Sequence, residues 1–229
     1  KCVTFNDQMR YMVMRFFKFL SFLVVISMSF SSCRKDLDTR DYEAKNVVVI
    51  VVDGPRYSET WGEPNQTYIP HMKNDMATEG AVFTNFRNYG PTRTSSGHTA
   101  ILTGHYQVIN NGGMETPKRP NYLNYWIKKH DASASEAWII SSKDKIGALA
   151  DCQKNAWSEQ YLPTVDCGNS GVGTGYRPDS VTVSHVLDSM NKYHPSMVFI
   201  NFRQPDYSAH TGNWENYLAA IQQADEDYY

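Results

Sequence analysis

The chain has 229 residues, a formal net charge of -2 and 41% hydrophobic residues, enough to bury the core of one ordinary globular domain. Its basic residues are scattered rather than gathered into a patch, which excludes a nucleic-acid-binding surface of the usual kind.

The sequence opens on Lys1, and Met14-Arg15-Phe16-Phe17-Lys18 reads as the start of a signal peptide, which makes residues 1–13 upstream translation. Residues 19–32 form a run of fourteen without a charge, of signal-peptide length and too short to span a bilayer comfortably. Phe30-Ser31-Ser32-Cys33 resembles a bacterial lipobox, which implies acylation of Cys33 and a lipid-anchored protein of the cell envelope, on its periplasmic or surface face. The polar, charged stretch 33–45 is then a tether, and residues 46–229 are the domain.

Asn46 and the β-branched run Val47 to Val52, ended by Asp53-Gly54-Pro55, have the pattern of a central strand buried on both faces. Ile69 to Glu79, stopped by Gly80, reads as a helix, and residues 81–86 as a short strand. The stretch Gly90 to Gly104 is the pivotal one: Pro91, small hydroxylated residues and Gly97 precede Ala100, Ile101 and Leu102, the pattern of a turn entering a helix that stops at Gly104. Asn121 to Lys129 predicts a further helix, with Leu123, Trp126 and Ile127 on one face. Residues 137–140 predict a buried strand, and the Gly-rich residues 150–178 a long loop. Val183, Val186, Leu187 and Met190 mark one apolar helical face, Ser196 to Phe202 a strand, and residues 213–229 a last helix with Tyr217, Leu218, Ile221 and Tyr228 inward.

Strand and helix alternate, so the expected fold is α/β, a largely parallel sheet with helices on both faces, where ligands collect beyond the carboxyl ends of the strands. Cys152 and Cys167 lie in the expected loop, and a disulfide between them, worth roughly 3 kcal/mol, is expected ahead of two buried free thiols.

Three groups useful in chemistry fall at the strand ends: Asp53, Thr94 in the turn, and Asp206 with His210 after the strand ending at Phe202. Carboxylates and an imidazole gathered at one rim suit a divalent metal. At a helix start Thr94 can serve as an oxygen nucleophile while an anion rests against Ser95 and its neighbours.

These segments, Val51-Val52-Asp53-Gly54-Pro55-Arg56, Pro91-Thr92-Arg93-Thr94-Ser95-Ser96-Gly97-His98 and Pro205-Asp206-Tyr207-Ser208-Ala209-His210, resemble three successive motifs of the alkaline phosphatase superfamily, nearest to its nucleotide pyrophosphatase/phosphodiesterase branch. The resemblance runs over residues 46–229. It implies an alkaline phosphatase-like fold and metal-dependent hydrolysis of phosphoesters, by a phosphodiesterase or phosphatase route through a covalent phospho-threonine at Thr94. It further implies two divalent ions, zinc ahead of manganese or iron, with Asp53 and the Thr94 oxygen on one and Asp206 and His210 on the other. Asn110 or Asn111 matches the region in which the family contacts the substrate phosphoryl group, and His98 is expected to support packing of the turn. Family members complete both metal sites with a later Asp-His-Gly segment and a further His. No His follows His210, so the chain is expected to be a fragment, incomplete at its carboxyl end and with little activity of its own. A sulfatase, a phosphoethanolamine-type transferase, or a non-catalytic surface lipoprotein that binds a ligand on the same fold are the competing expectations.

Overall fold

A computed structural model describes residues 44–227. The expected upstream segment, signal peptide, tether and Cys33 anchor, and the inward Tyr228, lie outside those residues. Four parallel strands form one sheet in the order β1-β4-β2-β3: β1 (Val47–Asp53), β2 (Ala137–Ser141), β3 (Thr164–Cys167) and β4 (Met197–Pro205). The fold is mixed α/β, as expected, with helices on both faces.

Among the described residues six α- or π-helical segments accompany the sheet, besides the 3-10 turns Tyr57–Glu59, Ala134–Glu136 and Asp144–Ala150. Residues 72–79 form α1, a π-helical stretch Met72–Met76 running on into Ala77–Glu79. Next come α2 (Thr94–Thr103), α3 (Tyr122–His130) and α4 (Asp179–Tyr193), then the single turn α5 (Asp206–Ala209) and finally α6 (Trp214–Asp227). Helices α2 and α3 cover one face, where Leu102, Leu123 and Ile127 join Ile139 and Phe199 in a core cluster. The other face carries α4, whose Val183, Val186 and Met190 pack on Trp138, Ile140, Val198, Ile200 and Phe202. Burying these aliphatic and aromatic side chains stabilises the layers by about 1.5–3 kcal/mol each.

Local chemistry fixes the helix ends. Asn121 and Asn124 cap α3 reciprocally, each amide oxygen accepting the other's backbone N–H at 2.9 and 2.8 Å. Gly104 ends α2 in the left-handed region at φ 69°, donating its N–H to Ala100 O, as its position in the sequence predicts. Asp225, fully buried on α6, accepts the backbone N–H groups of His71 and Met72 at 2.7 and 2.9 Å and so caps α1 from across the molecule.

The structure differs from the sequence expectation in five places. Leu187, expected on the apolar face of α4, is 56% exposed, while Val183, Val186 and Met190 of that helix pack on the sheet. The β1 run is not buried on both faces: among the described residues its one strand neighbour is β4, and Val47, Val48 and Ile50 are exposed. Residues 81–86 form no strand; no described residue pairs with them in a sheet, and Phe83 and Phe86 are 79% and 90% exposed. The expected loop 150–178 contains β3, a short edge strand in register with Trp138 to Ser141 of β2. Cys152 and Cys167 are free, buried thiols rather than a disulfide. Cys167 ends β3 with its Sγ turned into the core toward Ile139 O at 3.8 Å, and burial pushes its pKa up. No helix among the described residues is long and apolar enough to cross a membrane.

Candidate active site

Strands β1, β2 and β4 end at one rim of the sheet, and each delivers a charged residue there: Asp53 as the last residue of β1, Lys143 two residues beyond β2, and Asp206 directly after β4. Gly54 allows the approach. It adopts φ 90°, and a Cβ on it would lie 2.7 Å from Asp206 Cα, so only hydrogen fits between the β1 exit and α5.

Thr94, the first residue of α2, projects into this rim, and its Oγ1 donates to Asp53 Oδ2 at 3.2 Å. Beneath it lies a buried polar chain. His98 Nδ1 contacts Thr94 O at 2.7 Å and its Nε2 meets Asn201 Nδ2 at 2.9 Å. A carbonyl only accepts and an amide nitrogen only donates, which assigns a neutral imidazole with its proton on Nδ1. Burial lowers the His98 pKa, in agreement with that state. Asn201 Oδ1 takes a hydrogen bond from Ser141 Oγ at 3.0 Å, and Ser141 Oγ in turn contacts both the N–H and the C=O of Lys143, at 3.0 and 2.9 Å. The chain thus links the Thr94 turn to β4 and to the backbone of Lys143. The expectation that His98 supports the turn is met.

The two asparagines separate clearly. Asn111 Oδ1 accepts the Ser95 N–H at 2.9 Å, at the start of α2 and next to Thr94. Asn110 Oδ1 instead accepts the Gly112 N–H at 2.7 Å, and its own N–H donates to Glu115, so it serves the neighbouring turn. The Ser95 Oγ is buried and has no hydrogen-bond partner among the described residues.

Lys143 is the residue that sequence reasoning missed. Its Nζ lies 2.5 Å from Asp53 Oδ2, 2.5 Å from Asp206 Oδ2 and 3.5 Å from Thr94 Oγ1, and its side chain is 1% exposed. Burial works against the ammonium, yet the Asp53 and Asp206 carboxylates together prevail and raise its pKa. The signal was present: Lys143 follows a strand, at the same carboxyl-end position that singled out Asp53 and Asp206.

Two carboxylates and a hydroxyl therefore converge on one cation position. Their hard oxygens fit a divalent ion, and the position also suits an ammonium. His210 stands apart: its side chain is 81% exposed, with Nε2 3.5 Å from Asp206 Oδ1 one helical turn away. Among the described residues no group of three or more His, Cys, Asp or Glu side chains gathers as a metal cluster. A cleft of about 280 Å³ opens beside the rim, lined by Gly54, Ala209, Trp214 and Tyr217, with the Arg56 guanidinium 5.1 Å from the Trp214 ring centre.

A family model described as type I phosphodiesterase / nucleotide pyrophosphatase matches residues 47–227. The chain belongs to the type I phosphodiesterase / nucleotide pyrophosphatase family. No curated protein and no solved structure shows a significant match to it. The phosphodiesterase match spans all four strands and the whole rim, from β1 through α6. For a phosphodiesterase-family chain, phosphoester hydrolysis is the general activity that membership supports.

Proposed function

We propose that the protein is a metal-dependent phosphoester hydrolase that works through a covalent phospho-threonine on Thr94. The observation that carries this reading is the meeting of Thr94 Oγ1 with the Asp53 and Asp206 carboxylates at one cation position, at the start of a helix and beside the unpartnered Ser95 Oγ.

Asp53, Thr94, Asp206 and His210 are the residues that would hold metal, zinc first, and a bound divalent cation would supply positive charge that favours the Thr94 alkoxide and offsets charge developing on the phosphoryl oxygens. The two-ion arrangement is part of the proposal, with Asp53 and Thr94 beginning one ligand set and Asp206 and His210 the other. Asp53 Oδ2 holds the Thr94 hydroxyl at 3.2 Å and gives its proton an acceptor. As the Thr94 Oγ1–phosphorus bond forms, the bond from phosphorus to the leaving alkoxide breaks, and that alkoxide takes a proton from solvent. Water then attacks phosphorus, the Thr94 oxygen leaves with a proton, and the phosphate product departs. Ser95 and Asn111 orient the phosphoryl oxygens at the positive end of α2. His98, fixed by Asn201, holds the Thr94 carbonyl and with it the direction of the hydroxyl.

Thr94→Ala in the native protein, assayed with p-nitrophenyl phosphate and bis(p-nitrophenyl) phosphate, is the deciding experiment. Hydrolysis of whichever ester the native protein accepts should vanish; a variant that keeps its rate sinks the phospho-threonine route. A second reading, a non-catalytic ligand-binding lipoprotein on this fold, draws support from the ammonium at the cation position. It predicts that neither protein hydrolyses either ester. The proposed envelope location rests on the Phe30 to Cys33 pattern, and Cys33→Ala should release the protein from the membrane fraction.

A further inference from the structure

The backbone of Lys143 is fixed on both sides by Ser141 Oγ, while its side chain is a flexible four-carbon stem. The stem ends between two carboxylates carrying two negative charges, of which one ammonium neutralises half. A monovalent ion gains nothing by replacing it. A dication carries twice the charge of the ammonium and can therefore pull these carboxylates away from the lysine. Nearby, the Tyr176 ring centre is 5.8 Å from Nζ and offers an aromatic face to an ammonium that has moved off the carboxylates.

We infer that Lys143 is a built-in competitor for the metal: its ammonium occupies the point where the oxygens of Asp53, Asp206 and Thr94 meet, and a divalent ion loads only by expelling it. The lysine thereby holds the two carboxylates together in the empty site by offsetting half of their charge, and rejects monovalent cations. This rests on the metal-dependent reading above, so the test must distinguish failure of the one from failure of the other.

Protein stripped of metal with a chelator is titrated with zinc by calorimetry, comparing the native chain with Lys143→Met, which keeps the length of the side chain and removes its charge. The variant should bind zinc about tenfold tighter or more, because no ion pair has to be broken first. In parallel the native protein is acetylated with and without zinc and mapped by mass spectrometry, the exposed Lys118 serving as reference. Lys143 should be protected without metal and labelled once zinc is bound. Equal zinc affinity in both proteins, or a Lys143 that stays protected in the zinc-bound protein, overturns the inference and leaves the metal-dependent reading standing. If neither protein binds any zinc, both fall. Should Lys143→Met fail to fold, labelling of the native protein decides the question alone.

Discussion

The imidazole of His98 and the side-chain amide of Asn201 meet at 2.9 Å across a sequence separation of 103 residues. This contact joins the helix that carries Thr94 to the central strand that leads to Asp206, so the position of Thr94 depends on a histidine that stays uncharged.

That dependence sets a pH response. Burial lowers the His98 pKa, so the folded protein keeps the ring neutral where the unfolded chain would protonate it. The sign follows: the contribution of His98 is fully present above its ordinary pKa of about 6.5 and is lost as pH falls from there toward the folded value. Urea unfolding at pH 8 and pH 5.5 should show a drop in stability for the native protein, and a smaller drop for His98→Gln. At pH 8 His98→Gln itself should cost about 1–3 kcal/mol, because buried polar partners lose their geometry.

Asn110 and Asn111 should behave differently. Asn111→Ala frees the Ser95 N–H and removes a group that would orient the phosphoryl oxygens, so kcat/KM should fall about 10- to 100-fold. Asn110→Ala touches only the turn to Gly112 and should change kcat/KM less than about threefold. Steady-state kinetics on the pair check both, and a reversed order would remove Asn111 from the site.

The cap supplied by Asp225 predicts a stability effect far from the rim. Asp225→Ala leaves the His71 and Met72 N–H groups without their acceptor and should destabilise the fold by about 1–3 kcal/mol, read from the denaturant midpoint. Asp227→Ala, two residues on and partly exposed, serves as the control and should cost less than about 0.5 kcal/mol.

Cys152 and Cys167 should titrate as two thiols. Neither should react quickly with a thiol reagent in the folded protein, both should react after unfolding, and a reductant should leave the melting temperature unchanged.

The alternation of strands and helices, the turn into the helix at Thr94 and its Gly104 stop were legible in the sequence because each rests on local pattern: apolar periodicity, small hydroxylated residues, a glycine at a helix end. What the sequence concealed is decided by neighbours. Val47 to Val52 reads as a central strand whichever position it takes in the sheet, because an aliphatic run does not encode which strands flank it. The four residues of β3, with Asp166 on the way, carry too short a pattern to stand out from a Gly-rich stretch until β2 pairs with them. Asp53, Thr94, Asp206 and His210 stand out by residue type and position, whereas Lys143, at the same place after a strand, is easily passed over, since a lysine there is ordinarily a solvated charge. Only the convergence of three strand ends turns it into the counter-ion of two carboxylates.

Gly54 sits between the first and the last of those carboxylate-bearing motifs with room for a hydrogen and nothing more. Any side chain there would have to push Asp206 away from Asp53, so two segments separated by most of the domain are bound to a single tolerance. In a saturation library at position 54 the survivors should be glycine alone, even under selection for folding without activity. Redesign of this rim for another cation or another ester must therefore treat the β1 exit and the start of α5 as one inherited unit, changed together or left as they are.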